Sequence, residues 1–299
     1  LEKFVCRHHE YFVQTLPLFL SDGNTVPRIC LCIGQYLHYN SSMPVRSLLY
    51  YSYGKLLERE VRKGKLPVHI GLILDGNRRY AKEMGFENVA MGHKAGANKL
   101  DDVLKWCVEF GIKIITIWVL STDNTQRDKN EVASLLKVIE EKITELSKNP
   151  IIRKNGIQIK ALGNLDMLPE ELKKAIHKSE MSTKDNTNHI LNIALGYGGR
   201  EEIVDAVKKV IREKKSCSSE ELADTICAED ITNHLYTYGI PDPDLIIRTS
   251  GEIRMSGFLL WQSAYSEFYF CDALWPVFRK IDFLRAIRSY QHRNRRFGR

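Results

Sequence analysis

Residues 69–82 read His69-Ile70-Gly71-Leu72-Ile73-Leu74-Asp75-Gly76-Asn77-Arg78-Arg79-Tyr80-Ala81-Lys82. The apolar run 70–74 has the length of a buried strand and stops at Asp75-Gly76-Asn77, three residues that favour turns. A charged, helix-compatible segment follows. Strand, turn and helix start together gather backbone N–H groups and the positive end of a helix dipole at one point, which attracts anions. Arg78 and Arg79 strengthen that preference, because a guanidinium grips a phosphate through two parallel hydrogen bonds. Asp75 among them would repel a phosphate unless a cation lay between. The stretch therefore points to Mg²⁺, a hard ion that takes one or two carboxylates and completes its shell with phosphate oxygens and water. A strand end closed by an Asx-turn, with two solvated arginines, satisfies the same turn chemistry.

Downstream the pattern alternates. Gly92-His93-Lys94-Ala95-Gly96 leads into a helix that ends at Phe110-Gly111, and 113–120 is a β-branched, aromatic-rich strand. Helices are expected over 131–148 and 170–178, and strands over 157–162 and 190–195. Gly196-Tyr197-Gly198-Gly199 turns into a helix over 200–214, and 244–249 and 268–270 are short strands. This alternation predicts an α/β fold with a central, mostly parallel sheet flanked by helices. Ligands of such sheets bind beyond the carboxyl ends of the strands.

The unusual residues collect at those ends. The first strand delivers Asp75 to Arg79. The second delivers Ser121-Thr122-Asp123-Asn124-Thr125-Gln126-Arg127, and the strand 245–247 delivers Arg248-Thr249-Ser250-Gly251-Glu252-Ile253-Arg254-Met255-Ser256. Arg79, Arg127, Arg248 and Arg254 converging on one edge would neutralise more charge than one phosphate carries, a count that suits two diphosphates. No G-x-x-x-x-G-K-[ST] and no G-x-G-x-x-G occurs, so neither a P-loop nor a dinucleotide fingerprint is supported.

The chain has 299 residues, 44 Lys and Arg against 37 Asp and Glu, and a net charge of +7. That balance suits anionic ligands or a membrane surface, and no nucleic-acid partner is expected without a concentrated basic stripe. The seven cysteines form no C-x-x-C pair and read as free thiols of a reducing compartment, which implies a cytoplasmic protein. Residues 1–42 form an arm of undetermined role; its apolar stretch 26–37 is far short of the roughly 20 residues that span a bilayer. No basic-then-apolar-then-small leader pattern precedes that stretch. In 43–65, Leu48, Leu49, Tyr51, Tyr53, Leu56, Leu57 and Val61 recur at helical spacing. Such an amphipathic helix either lies on a membrane surface or packs on the domain that follows.

Six signatures then combine: Asp75-Gly76-Asn77-Arg78-Arg79-Tyr80-Ala81, Gly92-His93-Lys94-Ala95-Gly96, Tyr197-Gly198-Gly199-Arg200, Arg248-Thr249-Ser250-Gly251-Glu252, Phe258-Leu259-Leu260-Trp261-Gln262 and Glu267-Phe268-Tyr269-Phe270. In this order the chain resembles the cis-prenyltransferases, the undecaprenyl and dehydrodolichyl diphosphate synthase family, over 66–299. The resemblance implies a butterfly-like homodimer with an apolar tunnel beneath the sheet, and a reaction that joins isopentenyl diphosphate to an allylic prenyl diphosphate. It implies Asp75 as the catalytic, Mg²⁺-binding aspartate, with Glu267 holding the metal, in some members from the partner subunit. Gly76, Asn77, Arg78, Arg79, Tyr80 and His93 match the allylic site, and Arg248, Arg254, Met255 and Ser256 the isopentenyl site. Asn124 matches a residue serving condensation, beside Ser121, Thr122, Asp123, Thr125 and Arg127 in the second-strand loop. Arg296-Phe297-Gly298 resembles a C-terminal Arg-x-Gly that completes a neighbouring active site. Leu72, Ile117, Val119 and Leu136 either line that tunnel or are plain core, as apolar side chains of buried elements usually are, and Asp75, Asn124 with a serine relay, or diphosphate itself could accept the reaction's proton.

The chain also departs from the family pattern. The second-strand loop, Leu120 to Arg127, lacks both usual aromatics; Val89 stands where many members have arginine; Gly196 and Gly257 replace common asparagines. These changes at the substrate edge suggest an alternative product, short or joined without head-to-tail geometry. A non-catalytic subunit of a polyprenyl diphosphate synthase is the other alternative, against which stand Asp75 and the full arginine set.

Overall fold

A computed structural model describes residues 43–215 and 218–293. The expectations for the 1–42 arm and for Arg296-Phe297-Gly298 lie outside them. Residues 43–52 belong to one compact unit and residues 53–293 to a second, which carries the sheet.

The elements follow in order: α1 (Met43–Lys63), β1 (His69–Ile73), α2 (Asn77–Glu83), α3 (Val89–Glu109), β2 (Ile114–Trp118), a 3₁₀ turn (Thr122–Gln126), α4 (Lys129–Leu146) and α5 (Pro150–Lys154). Next come β3 (Ile157–Leu162), α6 (Glu170–Thr183), β4 (His189–Ala194), α7 (Gly199–Glu213), α8 (Ser219–Thr225), α9 (Ala228–His234), β5 (Leu245–Arg248), β6 (Glu267–Phe270) and α10 (Lys280–His292). The strands lie in the order β3-β4-β2-β1-β5-β6, and every pairing is parallel, so the sheet is wholly rather than mostly parallel.

Each inner strand is apolar on both sides because both of its faces are covered. Successive residues point to opposite faces. Leu72, Ile117, Ile193 and Ile247 join the large core packed by α3, α4, α6 and α10, while their neighbours Ile73, Trp118, Ala194 and Ile246 join a second core around Tyr197, Phe258 and Leu259. Trp118 stacks on Phe258 with centroids 5.4 Å apart.

Helix α3 starts three residues before the Gly-rich entry expected from sequence, because Asn88 accepts a hydrogen bond from the Ala90 N–H at 2.8 Å and caps it. Helix α4 likewise starts ahead of the expected Glu131, at Lys129, capped by Asp128, whose carboxylate takes the N–H groups of Asn130 and Glu131. Within the sheet-bearing unit, Leu57 and Val61 of α1 are buried and Tyr53 packs against the main core. That half of the helix packs one face on the domain, while Leu56 stays exposed. No helix among the described residues is long and apolar enough to cross a membrane.

Candidate active site

Strand order reverses at β1, the first strand of the chain, from which β2, β4 and β3 build to one side and β5 and β6 to the other, and the crevice beyond the carboxyl ends at such a point is where ligands of open parallel sheets sit. A cavity of about 530 Å³ occupies that crevice and runs on between α3 and α4. Its mouth gathers Asp75, Gly76, Asn77, Arg78, Arg79, His93, Ser121, Asp123, Asn124, Arg127, Arg248, Arg254 and Ser256, residues separated by up to 181 positions (256 − 75) yet delivered to one rim.

The tight turn at Gly76 has φ 108°, a left-handed backbone that glycine adopts without strain. Asp75 Oδ1 accepts the Gly76 N–H at 2.8 Å, and Asp75 Oδ2 accepts Arg248 Nη2 at 2.9 Å. Arg248 is buried and also donates through Nη1 to the Arg254 carbonyl and to Ser256 Oγ, at 2.5 and 2.7 Å. One guanidinium thus ties the first-strand loop to the fifth-strand loop. The Asp75 carbonyl is itself held by Thr249 Oγ1 and by the Trp275 N–H.

The remaining arginines rest on carboxylates. Arg78 and Arg127 both reach Glu131, at 3.3 and 3.2 Å, and Arg79 and Arg254 both reach Glu252, at 3.4 and 2.5 Å. Arg78, Arg79 and Arg254 are more than half exposed, so these contacts are weak and readily exchanged for stronger anions. Ser121 and Asn124 cap each other: Ser121 Oγ takes the Asn124 N–H and Asn124 Oδ1 takes the Ser121 N–H.

His93 is buried in the cavity wall. Burial, reinforced by the Arg127 and Arg78 charges and opposed by Glu131, lowers its pKa to about 4, so the ring is neutral. Its Nε2 has no protein partner, nor does the buried Oδ1 of Asn77.

Not every residue expected from sequence comes to the rim. Tyr80 makes an edge contact with Phe86 instead, and Thr122 and Met255 do not line the cavity. Of the candidate tunnel residues, Ile117 and Val119 line it, whereas Leu72 and Leu136 do not. Leu72 belongs to the core, and Leu136 falls off the α4 stripe that faces the cavity, formed by Leu135, Val138, Ile139, Lys142, Ile143 and Leu146.

Within this chain Glu267 does not stand beside Asp75. It opens β6 opposite Leu245, the first residue of β5, while Asp75 lies past the last residue of β1, so the two stand at opposite ends of the sheet. Within this chain Glu267 pairs with Arg293 at 2.8 Å.

The sequence reading gave no role to Glu131, Lys142 or Trp118. Glu131 carried a signal, since it lies four residues after Arg127 on a helix start, a spacing that brings charges together.

The comparisons agree with this architecture. The family model described as putative undecaprenyl diphosphate synthase matches residues 73–298. An isoprenyl transferase of Thermus thermophilus is 53% identical over 253 residues, 84% of this chain and 96% of that protein. A tritrans,polycis-undecaprenyl-diphosphate synthase (geranylgeranyl-diphosphate specific) of Methanopyrus kandleri is 46% identical over 251 residues, 84% of this chain and 92% of that protein. Among solved structures, lavandulyl diphosphate synthase from Lavandula x intermedia, in complex with dimethylallyl diphosphate, is 37% identical with a TM-score of 0.71 over 80% of this chain and 100% of that one. Signatures, sheet order and matches therefore converge, and the chain belongs to the undecaprenyl diphosphate synthase family of prenyltransferases.

Proposed function

We propose that this protein is a Mg²⁺-dependent cis-prenyltransferase that condenses isopentenyl diphosphate with an allylic prenyl diphosphate, releasing diphosphate. One observation carries the reading: five guanidinium groups and Asp75 share the mouth of a cavity whose deeper wall is mostly apolar. That arrangement fits molecules with a polyanionic head and a hydrocarbon tail.

Asp75 stands without a carboxylate cage. Among the described residues no group of three His, Cys, Asp or Glu side chains gathers to hold a metal. The donor set fits Mg²⁺, which binds through one or two carboxylates and substrate phosphates, and each Asp75 oxygen keeps a lone pair beyond the hydrogen bond it accepts. Bound there, the ion would supply Lewis-acid neutralisation of a departing diphosphate.

The side chains perform the remaining work. Arg78 and Arg79 stand at the start of α2, where backbone N–H groups and the helix dipole add to their charge, and neutral His93 offers an Nε2 with no other partner. These groups meet the negative charge that grows on the diphosphate as the allylic C–O bond breaks. Arg248, Arg254 and Ser256 hold the second diphosphate so that the isopentenyl π-bond faces the allylic carbon. The new C–C bond takes the π electrons, and loss of a C2 proton restores a double bond. In this reading the remaining lone pairs of Asp75 serve the metal, and Asn124 offers an amide oxygen that is not basic, which favours the leaving diphosphate as the proton acceptor.

Glu267 stands at the far end of the strands from its own Asp75, so the metal-holding role that the family resemblance gives it requires a second subunit, and we take the working form to be a homodimer.

Labelled isopentenyl diphosphate with allylic diphosphates of several lengths tests the function: incorporation is expected, and Asp75→Ala should abolish it without unfolding the protein. A protein that binds these diphosphates with no turnover would overturn the reading. The altered second-strand loop favours a second reading, in which a short product or one without head-to-tail geometry is made. A coupled product from dimethylallyl diphosphate alone would establish it.

A further inference from the structure

The apolar stripe of α4 that lines the cavity carries one charge. Lys142 lies eleven residues after Glu131, about 16 Å further along the helix at ~1.5 Å per residue. Its side chain is only 7% exposed, and Nζ reaches Asp101 Oδ2 of α3 at 2.7 Å and Glu145 Oε2 at 3.3 Å. Asn149 Nδ2 holds the other Asp101 oxygen at 3.1 Å.

We propose that the Lys142–Asp101 pair, which places a charge in the wall toward the deep end of the cavity and ties α3 to α4, sets the length of prenyl chain that this protein accommodates. The inference rests on the prenyltransferase reading of the same cavity. Its physical ground is the desolvation of charge. A tail that grew to this level would have to displace an ammonium that is only 7% exposed from Asp101, itself 22% exposed, and lay hydrocarbon against the charge, which is unfavourable for a cation held in an apolar wall. The pair also opposes a second escape, the spreading of the two helices, because Asp101 follows the cavity-lining Leu100 directly on α3. An aliphatic residue at 142 would only be pushed aside; a paired lysine acts as a stop.

The test compares the protein with Lys142→Met, and with Lys142→Met/Asp101→Leu, which removes both charges and keeps the experiment decisive should the single change fail to fold. Lys148→Met, at an exposed position beyond the cavity, is the control. Two readouts are taken: the products made from labelled isopentenyl diphosphate, and the affinity of non-reacting prenyl diphosphate analogues of increasing length. The expected result is a shift of the most abundant product to longer chains in the Lys142 variants only. Analogue affinity should stop rising with length in the parent protein and continue to rise in the variants. Identical product lengths, or an affinity limit at the same length in both, would overturn the proposal. Failure of the parent to incorporate any isopentenyl unit would instead overturn the enzymatic reading, while the affinity ladder would still decide the role of Lys142.

Discussion

Arg248 Nη2 lies 2.9 Å from Asp75 Oδ2, a link from a guanidinium that is 5% exposed to a carboxylate that is 38% exposed. The buried partner is held by two further acceptors, the Arg254 carbonyl and Ser256 Oγ, while the exposed partner still faces the cavity mouth. Arg248 therefore acts as a fixed strut and Asp75 as the group it presents. Arg248→Lys loses the planar fork that reaches Asp75, the Arg254 carbonyl and Ser256 together. We expect turnover to fall about 10²–10³-fold, the size found when one preorganised donor is lost. Stability should fall by about 1–2 kcal/mol, discounted because Asp75 is partly solvated. Asp75→Asn keeps an acceptor for Arg248, so it should abolish turnover while urea unfolding shifts by less than about 1 kcal/mol. Comparable loss of stability in both variants would contradict this division of roles.

Chelation separates the metal's chemistry from the fold. With no cluster of metal-binding side chains among the described residues, EDTA should stop isopentenyl incorporation and leave the melting temperature of the free protein unchanged. Mg²⁺ should restore activity, with an apparent affinity that tightens when diphosphate substrate is present, because the substrate supplies part of the shell. A melting point that drops on chelation would show a structural metal instead.

The fold was legible because its signals are local. The apolar run into Asp75-Gly76-Asn77 and the alternation of strands and helices placed β1 to β6 with boundaries within a few residues. The rim was legible for the same reason, since Asp75, Arg127 and Arg248 all follow strand ends. What the sequence hid depends on distance across the fold. Nothing near Lys142 in the chain announces Asp101, 41 positions away, and nothing near Glu267 announces that parallel register puts it at the wrong end of the sheet for Asp75. Leu136 packs against the core rather than the cavity for a subtler reason: one residue along a helix turns a side chain by about 100°, enough to take it off the cavity stripe.

Glu131 is the counter-ion that Arg78 and Arg127 share. In Glu131→Gln both guanidiniums lose a competitor for diphosphate oxygens. Inorganic diphosphate should then inhibit more strongly, by roughly 3–10-fold, since partly exposed ion pairs contribute on the order of 1 kcal/mol. The gain should shrink as salt is raised, because surface charge interactions are screened. Weaker inhibition in the variant would mean that Glu131 orients the arginines rather than competing for them.

His93 and His69 are both held near pKa 4 mainly by burial, against 6.5 for a free imidazole. Between those values the unfolded chain binds protons that the folded chain does not, so stability is complete above about pH 6.5 and falls as pH drops toward 4. His93→Gln removes one such group. Its urea unfolding free energy should vary less between pH 5 and pH 7 than the parent's, by no more than about 2 kcal/mol given ~1.4 kcal/mol per pKa unit. An unchanged slope would place the acid sensitivity in His69 or the carboxylates.

Two helical glycines should respond to alanine with opposite signs. Gly54 of α1 has nothing within 4 Å of where a Cβ would stand, and Gly54→Ala should stabilise the protein by up to about 1 kcal/mol, the usual helix propensity gain. At Gly96 of α3 a Cβ would collide with Asn77 Oδ1 and stand 2.9 Å from the Trp275 indole. These neighbours cannot yield independently. Trp275 donates through Nε1 to the Gly96 carbonyl at 2.8 Å and through its backbone N–H to the Asp75 carbonyl at 3.0 Å, and Asn77 Nδ2 donates to the Leu74 carbonyl at 3.1 Å. Relief of the clash must move the loop that carries Asp75. Overpacking of about 1–3 kcal/mol therefore exceeds the propensity gain, and Gly96→Ala should lower both stability and turnover. Thermal melts of the two variants decide the matter: a melting temperature that does not fall in Gly96→Ala would show that α3 does not clamp the Asp75 loop.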